Sequence, residues 1–166
     1  MRGFTLLFSI MIMSLLFAIA AAIVQTSSKQ LVISNIGRDS QKAFYASDSG
    51  IECARYLDKV KQAFSEEGVD PESLLVCGNN TITINQITDG YDGECPEAQQ
   101  DPGPDKCVRY DFSFDIGENT PQAHTDVRVY RNILIGQMTI QSFGYNNNDL
   151  NSSRRLERAL ESTYIN

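Results

Sequence analysis

The sequence is poor in the residues that most catalysis and nucleic-acid binding require. Its 166 residues hold one histidine, His124, and no Gly-rich phosphate loop, nucleophile elbow or paired-carboxylate signature. His124 sits in Pro121-Gln122-Ala123-His124-Thr125, which reads as a connection between strands and gives it a surface or turn role. No enzymatic activity is expected. Lys and Arg number 14 against 21 Asp and Glu, a net charge of −7, and phosphate binding needs clustered cations, so no specific nucleic-acid partner is expected either. Only Arg154, Arg155 and Arg158 cluster, and beside Glu157 and Glu161 they read as strand-pairing charges.

Charge is absent altogether from Phe4 to Val24, where Thr5, Ser9 and Ser14 are the only polar residues. As a helix these residues span about 31 Å, enough to cross a bilayer. The basic N-terminal flank would stay in the cytoplasm and everything beyond about residue 25 would lie outside it. A secretory signal peptide cut after Ala18-Ile19-Ala20, leaving Ala21 first, and a plain membrane anchor are alternative readings of the same segment.

Proline is absent from Gln25 to Glu67, and an apolar stripe recurs at helical spacing through Ala43, Ala46, Gly50, Ala54, Leu57, Val60 and Phe64. One helix from Phe4 to Glu67 is expected, capped by Gly68 ahead of Pro71 and bent or locally melted at Gly37. Its small residues Ala43, Ala46 and Gly50 would let another backbone approach closely, most simply the protein's own sheet.

Residues 68–166 read as a β-rich head. Ser73 to Cys77 and Thr81 to Ile87 flank the turn signal Gly78-Asn79-Asn80, with Ile82 and Ile84 on one face. Cys107 to Ile116 alternates throughout, with Val108, Tyr110, Phe112, Phe114 and Ile116 on one side and Arg109, Asp111, Ser113 and Asp115 on the other. Asp126 to Arg131 and Gly136 to Phe143 add two more strands. For residues 154–165 local propensity favours a helix, through Leu156 and Leu160 and mixed charges; the shared parity of Leu156, Leu160 and Tyr164 also suits a strand.

The loop 88–106 carries three prolines, three glycines and six acids against one lysine, five of the net negative charges. Asp89, Asp92 and Glu94 are weak calcium candidates, matching no EF-hand spacing, and a solvated acidic loop is the simpler reading. No cofactor is expected. The four cysteines form an even set without a CxxC pair, which favours disulfides over a metal. Of the three possible connectivities, sequence order is preferred: Cys53 with Cys77, tying helix to first strand, and Cys95 with Cys107, closing a loop.

Arg2-Gly3-Phe4-Thr5-Leu6-Leu7 resembles the leader junction of type IV prepilins. Lys42-Ala43-Phe44-Tyr45-Ala46-Ser47-Asp48-Ser49-Gly50-Ile51-Glu52-Cys53-Ala54 resembles a stretch of minor pilins of the PilX-like class, and of pseudopilins such as the tip subunit of type II secretion. The arginine-led tail ending in Thr163-Tyr164 resembles the closing strand of that class, which decides the tail as a strand.

The resemblance implies a pilin-like α+β fold, in which a long N-terminal helix packs on an antiparallel sheet. Its parts are a leader 1–3, a membrane or filament-core half 4–24, an amphipathic half 25–67 and the head. It implies cleavage between Gly3 and Phe4 by a prepilin peptidase, methylation of Phe4 as the new N-terminus, and passage from the inner membrane through an assembly platform to an extracellular filament. Partners would be major and minor pilins. In that family the fifth mature residue is Glu, thought to neutralise a neighbour's N-terminal amine; here it is Phe8, which implies a subunit at the tip that primes or caps the filament. A secreted or anchored β-domain with an adhesin-like role is the reading outside the family.

Overall fold

The computed structural model describes residues 2–64, 75–78, 80–87, 107–117, 122–132 and 136–165. They form one helix, α1 (Arg2–Lys59), and seven strands: β1 (Leu75–Cys77), β2 (Asn80–Ile82), β3 (Asn85–Ile87), β4 (Cys107–Ile116), β5 (Ala123–Asn132), β6 (Gln137–Tyr145) and β7 (Glu157–Ile165). The class is α+β, as expected. The chain divides into two compact units, residues 1–38 and 39–166.

The first unit is helix alone. Gly37 is helical, so the local melting expected there does not occur. The large apolar side chains of Phe4 and of the residues from Leu7 to Ile36 are exposed.

The second unit packs the C-terminal part of α1 on a five-stranded antiparallel sheet of order β3-β4-β5-β6-β7, with β1 and β2 as a separate two-stranded ladder. Ala43, Ala46, Ala54 and Leu57 are buried as the stripe requires. Val60 is not: it is 62% exposed, because α1 ends at Lys59 rather than Glu67. Gln62 takes a left-handed φ of 52° and the Ala63 amide donates to the Leu57 carbonyl at 3.1 Å. This bond spans seven residues, one more than the six-to-one bond that commonly closes a helix around a left-handed residue, usually glycine, and it serves the same end. The reversal turns Phe64 into the core, where it meets Tyr110 at 5.1 Å and Phe112 at 6.4 Å between ring centroids. The proposed cap Gly68 lies outside the described residues.

The strand expected at 107–116 has those bounds, and Tyr110, Phe112 and Phe114 are buried on its inner face. The segment 81–87 is instead two short strands, β2 and β3, that belong to different sheets. β5 begins three residues earlier than expected and β6 ends two later. β7 resolves the C-terminal conflict in favour of a strand, starting at Glu157 rather than 154, antiparallel to β6 from Glu157 opposite Tyr145 to Ile165 opposite Gln137. Nine cross-strand partners on β6 outweigh the weak helical preference of a short exposed segment.

Candidate functional site

The helix–sheet contact is built by absence of side chain. A Cβ on Gly144 would run into the backbone of Ala43 and Ser47, and one on Gly50 would meet the side chains of Ser142, Thr125 and Val127. Small residues at both sites let β6 and α1 approach until Ser47 Oγ donates to the Ser142 carbonyl at 2.7 Å. Polar clasps fix the helix on either side of that contact. Arg158 reaches Ser40 Oγ at 2.8 Å, Arg55 donates to Ser162 Oγ at 2.6 Å, and the Tyr164 hydroxyl donates to Asp58 Oδ2 at 3.0 Å. Burial, then the Asp58 carboxylate, holds the Tyr164 phenol neutral well above its ordinary range. Arg155 stacks 3.7 Å over the Tyr145 ring. Arg155 and Arg158 thus engage an aromatic ring and the helix, not the strand-pairing role expected of them.

Cys53 and Cys77 are joined, with Cα atoms 5.8 Å apart, as sequence order suggested. The bond ties the β1–β2 ladder to α1. Cys95 lies outside the described residues, as do Asp89, Asp92 and Glu94 and the rest of the acidic loop. The loop between β6 and β7 is held by its own side chains: Asn146 Oδ1 accepts from the Leu156 amide at 2.7 Å and its Nδ2 donates to the Arg154 carbonyl at 3.0 Å.

Sequence reasoning missed one cluster. His124 is the second residue of β5, not part of a connection, and it stands opposite Asp115 on β4. Its Nδ1 is 2.7 Å from Asp115 Oδ1 and its Nε2 is 3.0 Å from Asp126 Oδ1. With a carboxylate at each ring nitrogen, both nitrogens donate, which is the bonding of an imidazolium. Asp115 also accepts at its carbonyl from Asn80 Nδ2 on β2 and at Oδ2 from Asn148 Nδ2 at 3.4 Å. One ion cluster therefore gathers β2, β4, β5 and the loop after β6. The His-x-Asp spacing of residues 124 and 126 signals one half of it on a strand that reaches Ala123; the Asp115 half depends on the register of β4 against β5.

The Asp126 hydrogen bond, opposed by desolvation and helped by Asp115, raises the His124 pKa from 6.5, and the same bond lowers that of Asp126 from 3.8. The His124 contribution to stability is complete below 6.5 and lost as pH rises through the raised value. The Asp126 contribution is present above 3.8 and lost as pH falls through the lowered value. The cluster is strongest between these limits. Thermal melts from about pH 6 to about pH 8.5 should show falling stability, and His124→Gln should flatten that slope; equal slopes would mean the cluster does not hold the fold.

Gly3 and Phe4 lie at the start of α1, and the exposed Phe4 ring stacks on Phe8 at 6.5 Å. From Leu7 onward α1 is long and apolar enough to cross a membrane once. No protein-family model, no curated protein and no solved structure matches this chain.

Proposed function

We propose that the chain is a minor-pilin-like subunit of a type IV pilus or related filament, non-enzymatic, which primes assembly or sits at the tip with other minor pilins. One observation carries the reading. A single-pass anchor needs about 20 apolar residues, and Phe4 to Val24 supplies them, yet the apolar surface continues beyond Lys29. Leu31, Val32, Ile33 and Ile36 are 52 to 69% exposed. A helix this apolar outside the bilayer needs other helices around it. Packing against neighbouring subunits supplies them, whereas a solitary anchored or secreted β-domain leaves them in water.

The Gly3-Phe4 junction ahead of the apolar run supports processing by a prepilin peptidase, and the helix-on-sheet layout of the second unit agrees with a pilin-like fold. The head would then lie outside the cytoplasm, where the Cys53–Cys77 bond persists. Mass spectrometry of the mature protein tests the reading directly. A start at Phe4, N-methylated, is expected; a start at Ala21 overturns it in favour of a secreted β-domain.

Tip placement rests on Phe8. Phe8 presents an exposed ring where a shaft subunit would carry a carboxylate. A subunit without that carboxylate leaves its neighbour's amine unpaired in an apolar core, which costs several kcal/mol. Phe8→Glu should therefore increase incorporation along the shaft by at least about tenfold, counted by immunogold labelling of sheared filaments. Unchanged labelling would remove the charge argument while leaving the mature N-terminus as the test of filament membership.

A further inference from the structure

A cavity of about 1010 Å³ opens within the second unit, between one side of α1, the disulfide-tied ladder, the end of β4 and Gln122 just before β5. Its wall is amphipathic. Val76, Phe114 and Ile116 supply apolar surface, Tyr56 an aromatic ring, and Glu52 and Asp115 two carboxylates. Among the described residues no Lys, Arg or His lines it.

The two carboxylates differ in their surroundings. Asp115 is engaged by His124 and Asn148. Glu52 is exposed and has no hydrogen bond or ion pair among the described residues, and nor does Asp48 one turn before it. The nearest basic side chains on the helix, Arg55 and Lys59, point to the other side, over the Tyr164 ring at 5.9 and 5.1 Å. The cavity thus joins a carboxylate uncompensated among the described residues and an aromatic ring to an apolar floor. An arginine or lysine side chain has the matching form, an apolar stem with a cation at its end.

We propose that this cavity receives an arginine or lysine side chain carried on an apolar segment of a partner protein, with the stem against Val76, Phe114 and Ile116 and the cation at Glu52 and the Tyr56 ring. The site belongs to the second unit and does not depend on how the N-terminus is processed; a chain starting at Ala21 would retain it.

The test is an NMR titration of the full chain in detergent micelles with two peptides, acetyl-Leu-Arg-Leu-amide and its citrulline counterpart, which keeps the shape and removes the charge. The arginine peptide should shift the amide signals of Glu52, Tyr56, Val76 and Ile116 and bind at least about fivefold more tightly than the citrulline peptide. Glu52→Gln should reduce it to the citrulline level, and Tyr56→Ala should weaken it with the spectrum otherwise retained. Equal affinity for the two peptides, indifference to both substitutions, or shifts confined to the acidic segment 88–106 would overturn the proposal.

Discussion

Gly144→Ala should destabilise the second unit by about 3 kcal/mol, at the upper end of what one added methyl costs in a packed interior. The reason is the identity of the atoms in the way. At Gly50 an added methyl meets only side-chain atoms, of which the closest, the Ser142 hydroxyl, can rotate away; at Gly144 it meets the Ala43 carbonyl and the Ser47 backbone, which cannot. Relief requires α1 to lift from β6, and lifting breaks the Ser47 to Ser142 hydrogen bond. Both partners of that bond are buried, which adds the cost of unsatisfied polar groups. Chemical denaturation of the two variants measures the difference: Gly50→Ala should cost about 1 to 2 kcal/mol and Gly144→Ala clearly more. If the two were equal, the helix would be shown to shift freely on the sheet, and the small-residue contact would not fix its position.

Removing the disulfide by Cys53→Ser together with Cys77→Ser should cost about 3.5 kcal/mol, the loop-closure entropy released when residues separated by 24 positions are untied. The loss should be local before it is global. Among the described residues β1 and β2 pair only with each other; beyond the disulfide, their ties to the described rest include the burial of Leu75, Cys77 and Ile82 and the Asn80 bond to Asp115. Amide exchange in residues 75–77 and 80–82 should therefore accelerate well before that of β4 to β6. Uniform acceleration would instead show that the ladder and the sheet unfold as one unit. Cys53→Ala together with Cys77→Ala should reproduce the double serine substitution, which separates loss of the cross-link from the effect of the serine hydroxyls.

How far the sequence could be read depended on whether the deciding contacts were local. β4 was legible in full because ten residues alternate without interruption and such a pattern buries one face only as a strand. The stripe on α1 was legible to Leu57 for the same reason. It failed at Val60 because periodicity says which face is apolar but not where the helix stops. The stop is set by Gln62 in a left-handed conformation, held by Phe64 packing on Tyr110 and Phe112. Nothing local favours that conformation at a glutamine. The C-terminal tail was ambiguous for the complementary reason: its own propensities point to helix, and β6 supplies the ladder that makes it a strand.

The charges followed the same division. That Phe4 to Val24 is uncharged and long enough to span a membrane is written in the residues, as are the acidic loop and the even set of cysteines. The gathering of Asp115, His124 and Asp126 around one imidazole required the register of β4 against β5, with residues 115 and 124 directly opposite. The Glu52 carboxylate, without a partner among the described residues, is likewise distinctive only because Arg55 and Lys59 face Tyr164. The sequence by itself determined a long apolar helix followed by an antiparallel β unit, because hydrophobic period and the absence of charge are local properties. Only the tertiary structure decided where that helix ends, which glycine meets backbone, how the histidine is charged and where the cavity opens, because each depends on partners distant in the chain.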